Sequence, residues 1–254
     1  MTKKSTISRN GLIFIAGEGF WGFNAALVAS STVLAVLLRE FGAGDRMIGS
    51  IVAIESGLTI IPQILGMYFF HSIKHRKRNL VVWHLVAMIP FLFVSGLIIC
   101  FENHYSQAAA RWGLLLSFAC FMCAIGMILG VWSDWLAHIF ETKTRGTLMG
   151  MAFFASALMG SMGGLIAGAI IKNIDGHISY ALLYFIAGFF ATVSLLTFLL
   201  VKDPAENMDA SAQKGVSVTD ILASFRKSLL DGNFNSFLVC RMLASLGFCM
   251  IPFV

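Results

Sequence analysis

Charge is what this chain has least of. Only 12% of its 254 residues are Asp, Glu, Lys or Arg and 58% are hydrophobic, against about 25% charged and 45–50% apolar in an average soluble domain. Mean hydropathy is +0.83. A soluble fold of this size cannot bury so much apolar surface, so lipid must be the solvent for most of it. This excludes a soluble enzyme, a disordered protein, a secreted disulfide scaffold and a nucleic-acid module.

Other signatures are missing as well. There is no Gly-x-x-x-x-Gly-Lys-[Ser/Thr] phosphate loop, so the chain is not its own ATP motor. Neither a His-Glu-x-x-His motif nor a serine–lysine or paired-aspartate constellation points to an intramembrane enzyme, and no cofactor is implied. The five cysteines, Cys100, Cys120, Cys123, Cys240 and Cys249, lie in or at the edges of apolar runs without a disulfide framework. Cys120-x-x-Cys123 has no second pair or nearby histidine, and reads as two small lipid- or helix-facing residues. His71 and His75 stand one turn apart among lysines and arginines, with no third ligand, so no metal is expected.

What is present is a series of long apolar runs. A helix needs about 20 apolar residues to cross a hydrocarbon core of about 30 Å. Six runs qualify, at roughly 11–38, 47–70, 79–100, 112–139, 147–171 and 180–201, and a seventh starts near 235. The N-terminal run is too long for a signal peptide, contains Glu18 and lacks a small-residue cleavage site, so it reads as a retained span. With the N-terminus in the cytoplasm, thirteen lysines and arginines fall in inner segments and four in outer loops, which sets that orientation. Three spans running inside to outside, then three running back, is the topology of inverted three-helix repeats. The expected fold is an all-α six-helix membrane bundle of two such repeats over 1–201. A cytoplasmic linker follows over 202–234, then a truncated seventh helix over 235–254 that starts a second bundle. In the linker, Ser217-x-x-Asp220 resembles an N-terminal cap, and Val218, Ile221, Leu222, Phe225 and Leu229 share one helical face with Arg226 and Lys227 off it. Gly232 is expected to end that helix.

Charges within spans are default functional candidates, because one costs at least about 2.5–3.5 kcal/mol at the bilayer centre. Glu18 lies seven residues into span one, with Gly22, Ala25 and Ala29 on its face and Trp21 beside it. That pattern suits a proton or substrate-cation site, or a structural hydrogen bond within the bundle. Glu55 belongs to the other half of the membrane, as part of a substrate pathway or as a packing or vestibule residue. The two acids are therefore not expected to pair. Asn24 reads as a substrate hydrogen-bond donor or as polar glue between helices, and His84 as a proton relay or as a buried histidine bonded to a neighbouring helix. Asp134, one turn before His138, is placed to pair with Arg145 or with the basic run Lys74–Arg78, which also suits anionic lipid. Arg241 is placed to meet an acid of the first bundle or to snorkel. Ala152, Ser156, Gly160, Gly164 and Gly168 recur every four residues, a ridge for close helix approach.

Several stretches together resemble the N-terminal half of a major facilitator superfamily transporter. They are the basic loop Gly66–Arg78, the Thr144-Arg145-Gly146-Thr147-Leu148-Met149-Gly150 opening of span five with its later glycines, and the junction Asp231–Arg241. The family's Gly-x-x-x-Asp-Arg-x-Gly-Arg loop is matched only at Gly66 and the basic run, since Phe70, His71 and Ile73 stand at the Asp, Arg and Gly positions. Span four has no arginine, and Gly163-Gly164 stands where many antiporters carry Gly-Pro, so the likeness is to the superfamily and not to its drug antiporters. Pro62-Gln63 and Trp132-Ser133-Asp134 are similar to features of certain bacterial members.

The resemblance implies alternating access, proton-coupled transport of a small solute, and residence in a bacterial inner membrane. It implies a pathway role for Glu18, Trp21, Asn24, Glu55 and His84, and gating by Arg76, Lys77, Asp134, Arg145 and Gly146. It implies sliding packing at Gly160, Gly164 and Gly168. Family members have twelve spans, so the implied partners are lipid, the solute, and a second half-transporter chain or a second copy. The rival expectation is a truncated, non-transporting half that is inert or serves as a membrane assembly partner.

Overall fold

The computed structural model describes residues 8–70, 76–203 and 218–250. The His71/His75 pair, Lys74, most of the polar loop after span six, the Ser217 cap and the residues after Met250 lie outside that set, as do the side chains of Arg241 and Cys249. Every described element is a helix, with no strand among the described residues. The chain divides into two compact units, Met1–Ala212 and Gln213–Val254.

In the first unit, α1 (Arg9–Leu27) is followed by a π-helical turn (Ser30–Leu34) and α2 (Ala35–Glu40). Next come α3 (Asp45–Phe69), then α4 (Arg76–Trp83), a second π-helical turn (His84–Met88) and α5 (Ile89–Cys100). Three long helices complete it: α6 (Gln107–Ile139), α7 (Thr142–Asn173) and α8 (Ile178–Leu199). Five stretches, Arg9–Glu40, Arg76–Cys100 and the helices α6, α7 and α8, are long and apolar enough to cross a membrane. The chain is an integral membrane protein. The expected span 47–70 coincides with α3, which starts on Asp45-Arg46, contains Glu55 and is not one of those five.

The helix starts and breaks have local causes. Ser8 caps α1 by accepting from the Gly11 amide at 3.2 Å, and Ser106 caps α6 from the Ala109 amide at 3.2 Å. Pro90 has no N–H for the carbonyl of Val86 four residues back, and the π-helical turn His84–Met88 ends just before it. The first span breaks without proline or glycine: Ala29 leaves helical geometry with ψ 125°, and the helix restarts at Ser30.

In lipid no hydrophobic force pulls helices together, so contact depends on how closely backbones can approach. Here α1 packs on α7 and α8, α3 on α6, and α5 on α6 and α8. Glycines set the closest approaches. A Cβ at Gly22 would collide with the Ser156 carbonyl of α7, and one at Gly163 would lie 2.6 Å from the Phe23 oxygen of α1. A Cβ at Gly66 would strike the Met127 carbonyl of α6, and one at Gly126 the Leu58 carbonyl of α3. Leu58 lies four residues before Pro62, so its carbonyl has lost its helical donor. The Cα of Gly126 covers that oxygen.

The ridge on α7 departs from the strict four-residue spacing. Gly160 sits where a Cβ would be 3.3 Å from the Gly22 oxygen, and Ala152, Gly163 and Ala167 are buried. Gly164 and Gly168 are exposed, with nothing within reach of a Cβ. A contact line follows 3.6 residues per turn, so steps of three must mix with steps of four.

In the second unit, α9 (Val218–Leu229) ends three residues before Gly232, which opens α10 (Gly232–Met250) instead of closing α9. Asp231 caps α10 by accepting from the amides of Asn233 and Phe234 at 2.8 and 3.1 Å.

Gly126→Leu is expected to wedge α3 from α6 and destabilise the bundle by about 1–3 kcal/mol or more. Gly164→Leu should leave the thermal midpoint of the detergent-solubilised chain unchanged. Equal midpoints for the two variants would refute this packing account.

Candidate functional site

Two cavities in the first unit hold buried polar residues of the spans. The first, about 370 Å³, is lined by Glu55 of α3, by Asn24 and the Val28–Ser31 break of the first span, and by Phe91, Phe121 and Tyr184. The second, about 490 Å³, is lined by Glu18, His84, Leu80, Trp132 and Ser156. Trp21, Ala25 and Ile125 border both. Trp21 thus stands between the two acids, and the structure puts Glu18 and Glu55 in separate cavities.

The break in span one and the carboxylate of span two meet. Ser30 donates its hydroxyl to Glu55 Oε2 at 2.7 Å. The Ser30-Ser31-Thr32 run, three hydroxyls inside an apolar stretch, is the signal that sequence reasoning passed over. Tyr184 was passed over too: a tyrosine one turn after Tyr180 in an apolar helix has no pattern to mark it as a site residue. Asn24 is buried, at 1% exposure, and its amide donates to the Trp21 carbonyl at 2.7 Å and the Phe20 carbonyl at 3.5 Å. It therefore bonds its own helix, not a neighbour, and its Oδ1 is left free to accept.

Glu18 is buried at 9% exposure and makes no hydrogen bond or ion pair among the described residues. His84 shares its cavity. The His84 ring holds the Leu80 carbonyl at 2.7 Å through Nδ1. A carbonyl only accepts, so Nδ1 carries the proton and Nε2 of the neutral ring is left as the acceptor. That bond also runs within one helix. Trp21 packs edge-on against the His84 ring at 6.1 Å between centroids.

The expected gating residues gather where α4, α6 and the end of α8 meet. Arg76, with its side chain 9% exposed, forms an ion pair with half-exposed Asp134 and contacts His138 Nδ1 at 2.9 Å. Asp134 takes its partner from the basic run and not from Arg145. Arg145 donates to the carbonyls of Ala137 and Phe140 at 2.8 and 3.1 Å, closing the C-terminus of α6. Lys77 reaches the Val201 carbonyl at 3.1 Å, and nothing lies within reach of a Cβ at Gly146. Nearby, Trp135 donates to Asp203 at 2.9 Å, and Asn10 and Lys202 exchange two hydrogen bonds between the first span and the residues after α8.

At the opposite end, His177 lies between two carboxylates, 3.1 Å from Glu40 and in contact with Glu102, while Tyr180 donates to Glu40 at 2.9 Å. Among the described residues no group of three or more His, Cys, Asp and Glu is arranged to hold a metal.

No protein-family model, curated protein or solved structure matches the chain. The residues themselves therefore carry the functional argument.

Asp134→Asn is expected to leave a buried guanidinium short of its counter-charge, at a cost of about 1–3 kcal/mol. Because Asp134 is half exposed, the lower part of that range should apply in high salt. A double-mutant cycle with Arg76→Gln, read by thermal unfolding, should return a coupling energy of that size, and a coupling near zero would show that the pair does not hold this end together.

Proposed function

We propose that this chain forms one bundle of a secondary transporter, related in architecture to the major facilitator superfamily, which moves a small solute by alternating access coupled to protons. The observation that carries the reading is Glu18. A carboxyl group buried in a membrane helix, without a partner and facing a cavity, has no packing task that a glutamine or leucine would not do better. A proton site does require it. His84 on the same cavity offers Nε2 as an acceptor.

The helix pairing supports the architecture. If the first three spans are matched in order to the last three, α1 on α7 corresponds to α6 on α3, and α1 on α8 corresponds to α6 on α5. The glycines follow the same correspondence, Gly22 with Gly126 and Gly163 with Gly66. That is the pattern of two inverted three-helix repeats. Breaks at Val28–Ala29 and before Pro90, both beside cavities, suit a transporter, whose irregular backbone belongs where it lines a cavity. In this reading the Arg76–Asp134 end is cytoplasmic, in a bacterial inner membrane, and its ion pair is one closed-gate contact.

A second bundle is needed as the opposite wall of the cavities, supplied by further residues of a longer chain, by another chain or by a second copy. The surface of α7 suits that role or plain lipid contact: only 11% of its most apolar stretch is buried, against 44% in α6 and α8. That surface also favours the second reading, a membrane assembly partner that does not itself transport.

Two measurements test the proposal. The native mass of the assembly extracted from its own membrane should show a second bundle, as further residues of a longer chain, as a homodimer or as a second multi-span chain. In liposomes holding that assembly and a pH-sensitive dye, solute addition should move protons, and Glu18→Gln should cut that movement at least tenfold. A stable monomer that moves neither protons nor solute would sink the transport reading and leave the assembly partner.

A further inference from the structure

The first cavity has a polarity that selects its ligand. Three groups on its wall that can accept a hydrogen bond lack partners among the described residues, as do the exposed Ser31 hydroxyl and the Trp21 indole N–H. Glu55 Oε2 is held by Ser30, but Oε1 accepts nothing. Asn24 has spent both donors on backbone carbonyls, so only Oδ1 is open. Tyr184, 5% exposed, makes no hydrogen bond through its hydroxyl. Two of these three can only accept once Glu55 is ionised, and the third can accept. Ser95 and Ser117 are not available as donors, because both give their hydroxyl protons to the Phe91 carbonyl, at 2.9 and 2.8 Å, and their oxygens can only accept.

Among the described residues no lysine, arginine or histidine lines this cavity. An anionic ligand would meet Glu55 with no counter-charge, and a neutral apolar one would leave the polar groups of the wall unpaired. The indole N–H of Trp21, also unpaired, carries no charge to balance the carboxylate. The rest of the wall is aromatic: Trp21, Phe91, Phe118 and Phe121. Aromatic faces attract cations, and more strongly where water is excluded.

We propose that this cavity binds a small organic ammonium ion with a flat apolar body. Its N–H groups bond Glu55 Oε1, Asn24 Oδ1 and the Tyr184 oxygen, and its body lies among the four aromatic rings. Three acceptors on the wall of one cavity match the three donors of a primary ammonium. The volume, about 370 Å³, lies at the small end of ligand pockets, roughly 300–1,000 Å³. A bare alkali ion would leave most of the aromatic wall without contact. The assignment names the solute class of the transporter proposed above, and rests on that reading only for translocation.

Equilibrium binding to the full chain in nanodiscs, with no pH gradient, tests it. The probes are radiolabelled 2-phenylethylammonium with two competitors of nearly the same shape, neutral propylbenzene and anionic 3-phenylpropanoate. The ammonium should bind saturably, and each competitor should be at least tenfold weaker. Glu55→Gln should weaken ammonium binding at least tenfold and Asn24→Leu several-fold, while Glu141→Gln, the same charge change at an exposed position, should have no effect. Competitors that bind as tightly as the ammonium, displacement by sodium ion alone, or no saturable binding would overturn the assignment on the native chain, without reliance on a variant's folding. Binding of the ammonium without its movement in liposomes would overturn the transport reading and keep the site. Proton-coupled movement of an uncharged solute with no ammonium binding would do the reverse.

Discussion

Backbone against backbone, at a few glycines, is the contact on which the rest of the bundle depends. Lipid tails are as apolar as leucine, so side-chain burial does little to choose one helix pairing over another. A carbonyl resting on a bare Cα does choose. Gly22 and Gly163 fix α1 on α7, and Gly66 and Gly126 fix α3 on α6. These two tight pairs leave looser space around Trp21, Ala25 and Ile125, where the cavities form.

The α3–α6 contact shows how one residue propagates. Pro62 removes a donor from the Leu58 carbonyl. In hydrocarbon an unsatisfied carbonyl costs several kcal/mol. The absence of a side chain at Gly126 lets its Cα hydrogen approach that oxygen, a weak interaction of about 0.5–1 kcal/mol, and shields it from lipid. The proline and the glycine, 64 positions apart in sequence, serve one contact.

The coarse fold was legible because length and apolarity are strong signals in a membrane chain. The described helices fall on the expected runs within a few residues. The breaks were less visible. The one before Pro90 has a proline to mark it, but the one at Val28–Ala29 has no breaker residue, and its reason is tertiary: Ser30 bonds Glu55 on another helix. For the site, rare polar residues in apolar runs pointed to Glu18, Asn24, Glu55 and His84, and all four line the two cavities. Sequence spacing could not say that Asn24 and His84 bond within their own helices, nor that Asp134 takes Arg76. Gly66 was read only as the start of the basic loop and Gly126 was passed over, because each packs singly, without a stripe, whereas the stripe on α7 was followed one step too rigidly, to Gly164 and Gly168 in place of Gly163 and Ala167.

The pairing of α1 with α7 and α8 has a consequence for biogenesis. A chain is made from its N-terminus, and the helices that cover Glu18 and Asn24 are among the last of the bundle to emerge. At about 5–20 residues per second, synthesis of the on the order of 100 residues between α1 and α7 takes roughly 5–20 s. Through that interval the first span waits in or beside the membrane with the Glu18 carboxyl group uncovered by those helices. The two hydrogen bonds between Asn10 and Lys202 can form only when α8 is complete, so they mark the moment at which the newborn bundle closes.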